Sequence, residues 1–274
     1  MGDSAPPAGP VILTEVTDRI GTVTLNRPER RNALDPALIE ALDGAVNEMA
    51  DRDDVKVVIL TGAPAEGALG GFCSGGDTKE GISGGAGGPR TAPAQGPLEG
   101  DLSRHDRQAA MLLHTMPKPT IAMVGGPAIG AGCSLAAACD LRFASEDAVF
   151  AANFSAVGLS GDYGGSFFWT GIIGTARTRE LYLLNEKLTA RQAYDRGMVH
   201  RVLPAAELRD HVMSVAQRLL RTPASLLALL KDNLNQAEED TARRRHLFAN
   251  ELANQGQAAL DIMARMRRRA QRDA

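Results

Sequence analysis

The stretch "KPTIAMVGGPAIGAGCSLAAACDLRFASEDAVFA" runs from Lys118 to Ala151 and carries one complete structural unit. Its first part, "KPTIAMVGG", is an apolar run of the kind that suits a strand buried on both faces. "AGCSLAAACD" follows as a short helix of small residues, and "LRFASEDAVFA" returns as strand. The junction "GGPAIG" is rich in glycine, which lets an extended segment turn sharply into a helix.

Related units lie on either side. "VILTEVTDRIGTVTLN", Val11 to Asn26, alternates β-branched with polar residues and reads as two short strands around Asp18–Gly21. "RPERRNALD" is a charged loop. Asp35 then caps a helix with Pro36 at its first position and Leu38, Ile39, Leu42, Val46 and Met49 as its apolar stripe. "VKVVILTG", Val55 to Gly62, is another strand for a doubly covered sheet. From Gly62 to Gly100 the chain is mostly glycine, proline and alanine, interrupted by "FCSGGDTKEGI". The part "SGGAGGPRTAPAQGPLEG" is of low complexity and expected to be mobile. A helix is predicted over Leu102 to His114. Beyond Phe150 come the helical pieces "FFWTGIIG", "ARTRELYLL" and "TARQAYDRGMV", then the strand "HRVLP". Past Pro204 the period is helical and the charge density rises. Three regions follow: a disordered start over 1–10, an α/β core over 11–204, and a helical region over 205–274. Strand, strand, helix in repetition, with buried strands, argues α/β with crossover connections.

Composition narrows the class. The chain has 274 residues, 44% of them hydrophobic, enough for a sizeable core. A formal net charge of −3 supplies no drive toward nucleic acid or anionic membrane. The basic runs "ARRRH" and "ARMRRRAQRDA" read as solvated helix faces, so no nucleic-acid partner is expected. Cys73, Cys133 and Cys139 lack disulfide or metal spacing and read as buried thiols of a cytoplasmic protein. "MGDSAPPAGP" has no basic or apolar targeting pattern, and no apolar run approaches the roughly 18 residues of a membrane helix. Neither GxGxxG after the first strand nor GxxxxGK[ST] occurs, and no HExxH or CxxC suggests a metal.

The two glycine-rich turns, "FCSGGDTKE" and "GGPAIGAGCSLAAACD", share one logic. Each ends an extended segment and opens a helix, whose first N–H groups have no internal partner and lie at the positive end of its dipole. Two such turns facing each other aim two amides at one oxygen. Losing one donor of such an oxyanion hole costs on the order of 3 kcal/mol of transition-state stabilisation.

The pair resembles the signature of the crotonase superfamily, the enoyl-CoA hydratase/isomerase family. The likeness spans "FCSGGDTKE" at Phe72 to Glu80, "GGPAIGAGCSLAAACDLRFASEDAVF" at Gly125 to Phe150, and the flanking "GTVTLNRPERRNALD" and "ARQAYDRGMVHRVLP". It implies a spiral of repeated ββα units with a C-terminal helical trimerisation region, hence a homotrimer or dimer of trimers. It implies an acyl-CoA thioester substrate, with coenzyme A part of that substrate and no separate cofactor or metal. Gly76 and Ala131 take the positions of the two amide donors; Ala131 replaces the middle glycine of the family's triple glycine, keeping the N–H and adding a methyl group. Asp77 is expected to cap a helix terminus. The loop Arg27 to Leu34 matches the lining of the CoA groove, so Arg27, Arg30, Arg31 and Ala33 are substrate-binding candidates, with Ser74, Gly75, Ser134, Phe154 and Gly161.

Family hydratases activate water with two glutamates, and this chain has Ser134 and Phe154 at those positions. Serine takes no proton near neutral pH, and phenylalanine does nothing for water. Hydration by that route is not expected. Asp162, in "SGDYGGS", lies where several relatives carry a working carboxylate. One base of raised pKa, removing a proton beside the thioester and returning it two carbons on, moves a double bond without water. Asp162 is also placed to cap the following helix. Isomerisation with Asp162 as base is the leading expectation; hydration through another arrangement, or acyl-CoA binding without turnover, are the alternatives. His105, His114, Tyr163, Phe167, Phe168 and Trp169 lie near the same region and read first as packing residues. The Gly84–Gly96 loop takes the place of a segment that shapes the acyl pocket in relatives.

Overall fold

A hairpin begins the described chain. Asp18 and Arg19, at φ 49° and 67°, form the tight turn between β1 (Ile12–Thr17) and β2 (Ile20–Leu25). Positive φ at both central residues matches the twist of the flanking strands. The computed structural model describes residues 9–68, 70–77, 108–157 and 161–238. The start expected to be disordered, the Gly84–Gly96 loop, His105 and the charged tail fall wholly or largely outside these residues.

Asp35 caps α1 (Pro36–Asp51) as expected, its Oδ1 accepting from the Leu38 amide at 2.7 Å. β3 (Val57–Gly62) is buried along its whole length, which suits its place between β2 and β4 (Thr120–Val124). The sheet order is β1-β2-β3-β4-β6-β9, with β6 at Leu141–Ser145 and β9 at Arg201–Leu203. β1 runs antiparallel to β2, and the remaining neighbours are parallel. Alternation along β3 sends Val58 and Leu60 to one face and Val57 and Ile59 to the other. The first face meets α1, α2 (Ala109–Thr115) and α3 (Ala131–Ala138). The second is covered by Leu208, Val212 and Ala216 of α6 (Ala205–Leu220).

The single strand expected over "LRFASEDAVFA" divides in two. β6 stays in the main sheet, whereas β7 (Val149–Ala151) joins a second sheet of order β5-β7-β8. Its partners β5 (Ala128–Ile129) and β8 (Leu188–Thr189) are two residues each, too short for a periodic signal. The pieces "FFWTGIIG" and "ARTRELYLL" form α4 (Gly165–Leu183), broken at Gly174, where φ is 77° and ψ 162°. Thr189 and Gln192 form a capping box at α5 (Ala190–Asp195). Beyond Pro204 come α6 and then α7 (Ala224–Glu238), which docks by Lys231. That side chain is buried, its Nζ 2.8 Å from Asp140 Oδ2 and 2.9 Å from the Leu113 carbonyl. The composition changes at residue 205, yet α6 forms one wall of the same layered core.

Candidate active site

The turn Cys73–Asp77 is laced on both sides by backbone hydrogen bonds. Ser74 N–H donates to Arg31 O at 3.1 Å, Leu34 N–H to Gly75 O at 2.8 Å, and Asp77 N–H to Leu34 O at 2.9 Å. On the other side, Cys73 N–H donates to Pro127 O and Ile129 N–H to Cys73 O, each at 3.0 Å. The loop Arg27–Leu34, the first glycine turn and the second glycine turn are therefore one continuous patch. Gly76 is exposed within it, and its N–H has no partner among the described residues.

Helix α3 begins against the same turn. Gly130 holds φ 55° and ψ −121°, a conformation that favours glycine, and the chain then enters α3 at Ala131. As the first helical residue, Ala131 has no intrahelical acceptor for its N–H. A Cβ at Gly132 would overlap the Cys73 carbonyl oxygen, and one at Gly75 would lie 2.9 Å from the Ile129 carbonyl oxygen. Only glycine lets the two turns approach this closely.

Asp77 is not free for chemistry. It is buried, and its carboxylate meets Arg30 Nη2 at 2.8 Å and Arg27 Nη2 at 3.3 Å. The expected cap would involve residues beyond the described ones; the described role is an ion-pair anchor. Arg27 is itself buried, bound to Asp35 at 3.0 Å and to the Ala33 carbonyl at 2.6 Å. Its guanidinium is thus committed inside the protein, whereas the Arg30 side chain keeps 28% of its surface exposed. Ala33 is buried and contributes through its backbone, and Ser74 is partly exposed.

Ser134 and Phe154 are both buried. Ser134 Oγ bonds weakly to Gly130 O at 3.4 Å and lies against Gly165, where the Tyr182 hydroxyl also arrives. Phe154 stacks on Tyr182, their centroids 5.8 Å apart at 26°. A methyl at Gly130 would stand 3.9 Å from the Phe154 ring, so this aromatic pair borders the Gly130–Ala131 turn. Tyr182 Oη is buried close to Ser134 Oγ; burial raises its pKa, and Cys133 adds to this, against a lowering by Ser134. Sequence reasoning missed Tyr182 because it reads as an ordinary face position of "ARTRELYLL"; the packing of α4 on α3 brings it here.

Asp162 stands just ahead of α4. Its side chain does not cap the helix: Gly164 is the N-cap, and Asp162 Oδ1 accepts from the neighbouring Tyr163 amide at 2.8 Å. The residue is solvent-accessible, yet enough protein surrounds its carboxyl for desolvation to raise the pKa, against a lowering by the Tyr163 amide. No ion pair holds it among the described residues. Gly161 is exposed beside Tyr182, and Gly165 links this loop to Ser134, one turn beyond Ala131. Tyr163 is half-buried, its hydroxyl pKa raised by burial and then by Asp162, Asp43 and Cys73. Trp169 and Phe168 are buried, while Phe167 is exposed. His114 packs on Phe168 at 5.0 Å, and burial lowers its pKa.

The three cysteines are free and buried, with burial pushing each thiol up to about 12. Among the described residues no cluster of His, Cys, Asp and Glu could hold a metal, and no helix is long and apolar enough to cross a membrane.

Residues 15–267 match the enoyl-CoA hydratase/isomerase family. The chain is 33% identical over 233 residues, 84% of each chain, to the 1,2-epoxyphenylacetyl-CoA isomerase of Escherichia coli. It is 30% identical to 4-chlorobenzoyl coenzyme A dehalogenase-2 of an Arthrobacter species, covering 89% of this chain and 86% of that one. Among solved structures, an enoyl-CoA hydratase from Mycobacterium avium subsp. paratuberculosis aligns with TM-score 0.70 and 32% identity, covering 91% and 95% of the two chains. One from Mycobacterium smegmatis gives 0.76 and 29%, covering 92% of each. With its glycine turns, its layered α/β core and these relatives, the chain belongs to the enoyl-CoA hydratase/isomerase family, within the crotonase superfamily.

Proposed function

We propose that this protein converts an acyl-CoA thioester through an enolate, with the Gly76 and Ala131 amides as the oxyanion hole and Asp162 as the single base. The reaction is movement of an enoyl double bond or a related rearrangement. Asp162 takes a proton from the carbon beside the thioester carbonyl, the two amides stabilise the resulting oxyanion, and the same carboxyl returns the proton further along the chain. Coenzyme A enters as part of the substrate, and the proton transfers call for no separate cofactor. Of the Arg27–Leu34 loop, the exposed Arg31 and the partly exposed Arg30, which Asp77 holds in place, are the side chains we assign to meet the nucleotide end.

One observation carries the reading: at the two positions matching the hydratase glutamates stand a buried serine and a buried phenylalanine, while Asp162, just ahead of α4, offers an accessible carboxylate of raised pKa. The names of the two curated relatives, an isomerase and a dehalogenase, also point away from simple hydration.

The test is a β,γ-enoyl-CoA followed by growth of the conjugated thioester absorbance. Asp162→Asn should lower kcat by about 10²–10⁴-fold, the usual worth of a general base, and leave acyl-CoA affinity nearly intact. Undiminished turnover in that variant eliminates Asp162 as base. Loss of absorbance from crotonyl-CoA would show hydration instead, and binding of enoyl, epoxy and aryl thioesters without conversion would show a silent acyl-CoA-binding subunit. The assembly we infer is a homotrimer or dimer of trimers, supported by exposed Leu183 and Leu184 at the end of α4 and Leu230 and Leu234 on α7. Light scattering of the purified chain tests it.

A further inference from the structure

On the face of the sheet away from Asp162, a cleft of about 600 Å³ opens between β6, β9 and α6. That volume lies within the range of small-molecule sites. Its walls carry Arg201, Arg218, His200 and His211, and among the described residues no carboxylate lines it. Neither guanidinium forms an ion pair or side-chain hydrogen bond with another described residue. An exposed arginine in water is ordinary. Two that converge on one concavity with two imidazoles and no counter-charge are a standing concentration of positive potential.

The details sharpen this. His200 Nδ1 is held by the Arg142 backbone, 3.1 Å from its amide nitrogen and 3.3 Å from its carbonyl oxygen. His211 has its pKa lowered by burial and then by Arg201 and Arg218. The floor is apolar. Phe143 lies beneath the two imidazoles, its centroid 5.9 Å from that of His200 and 5.1 Å from that of His211, and Leu219 closes one side.

We propose that this cleft binds a small organic anion, a phosphate or carboxylate on an aromatic or short apolar body. The guanidiniums offer paired donors matched to such oxygens, and the floor would be left wet by an inorganic ion. The same chemistry could come from the phosphates of the acyl-CoA itself or from a separate ligand. Phe143 belongs to the apolar layer under α6, whereas Phe72, Ala131 and Phe154 belong to the opposite layer, which favours a separate ligand.

Calorimetric titration of the full chain with phenyl phosphate, inorganic phosphate and benzyl alcohol tests this. Phenyl phosphate should bind once per chain, more tightly than inorganic phosphate, and benzyl alcohol should not bind. The double variant Arg201→Gln/Arg218→Gln should lose about tenfold or more in affinity, as expected for paired charge-assisted bonds, with its circular dichroism and acyl-CoA affinity unchanged. Saturating acyl-CoA should leave the titration as it was. Absent binding, full binding by the double variant, equal affinity for inorganic phosphate, or displacement by acyl-CoA would each overturn the proposal, the last by locating the probe in the coenzyme A groove.

Discussion

Asp162 and Asp77 are both aspartates in glycine-rich turns, and their surroundings give them opposite characters. Asp77 is buried between two guanidiniums and holds the Arg27–Leu34 loop to the first glycine turn. Among the described residues Asp162 has one amide donor and no cation, so desolvation dominates and its pKa rises. A base with a raised pKa must be deprotonated to act. The activity should therefore rise with pH through an apparent pKa above the ordinary 3.8 of an aspartate, and kcat/KM profiles will show that limb. Stability carries the matching sign. A carboxyl whose folded pKa is raised contributes stability below its unfolded pKa and loses it as pH rises through the folded value. Asp162→Asn should thus melt at a higher temperature than the parent at neutral pH. The difference should close as the pH falls below 3.8, as read by calorimetric melting.

At the level of elements, the site depends on how closely one turn seats against another. α3 can begin beside Cys73 because Gly132 has no side chain there. Gly132→Ala would put a methyl group onto the Cys73 carbonyl, push the start of α3 away and widen the gap between the Gly76 and Ala131 amides. Loss of one well-placed oxyanion donor costs on the order of 10²–10³ in kcat. The same loss is expected in this variant, with a smaller change in acyl-CoA affinity, measured by steady-state kinetics beside direct binding. The aromatic pair Phe154–Tyr182 and the buried Ser134 close the wall in which family hydratases present their glutamates. Returning one glutamate would therefore bury a carboxylate against rings rather than restore a water site.

The whole molecule is tied together at Asp140. Its Oδ2 accepts from the Thr120 amide at 2.7 Å and from Lys231 Nζ at 2.8 Å, joining the end of α3, the start of β4 and the last described helix. Lys231 Nζ also reaches the Lys118 carbonyl at 3.1 Å. Breaking a fully buried pair by removing one partner costs about 3–5 kcal/mol. The Asp140 side chain is 25% exposed and retains its Thr120 bonds, so Lys231→Met should cost less, roughly 2–3 kcal/mol, in urea unfolding. Asn235 Nδ2 donates to the His114 carbonyl at 2.8 Å one turn further on, so loosening α7 should also disturb the His114–Phe168 contact beside the site.

The chain order alone determined the α/β class, the doubly buried strands, the cap at Asp35 and the two glycine turns, because each rests on local periodicity or on a backbone conformation that few residues adopt. Its resemblance to the family further singled out Asp162 and the two positions without glutamate, since a resemblance compares residue types position by position. What only the folded arrangement decided was which charges meet. Arg27 reads as a loop cation but lies buried on Asp35 and Asp77, and Tyr182 reads as a helix face but reaches Ser134 and Phe154. The division of "LRFASEDAVFA" between two sheets belongs there too. The physical reason is common to all three: ion pairing, aromatic stacking and strand pairing are made between segments far apart in the chain, and no local pattern encodes their partners.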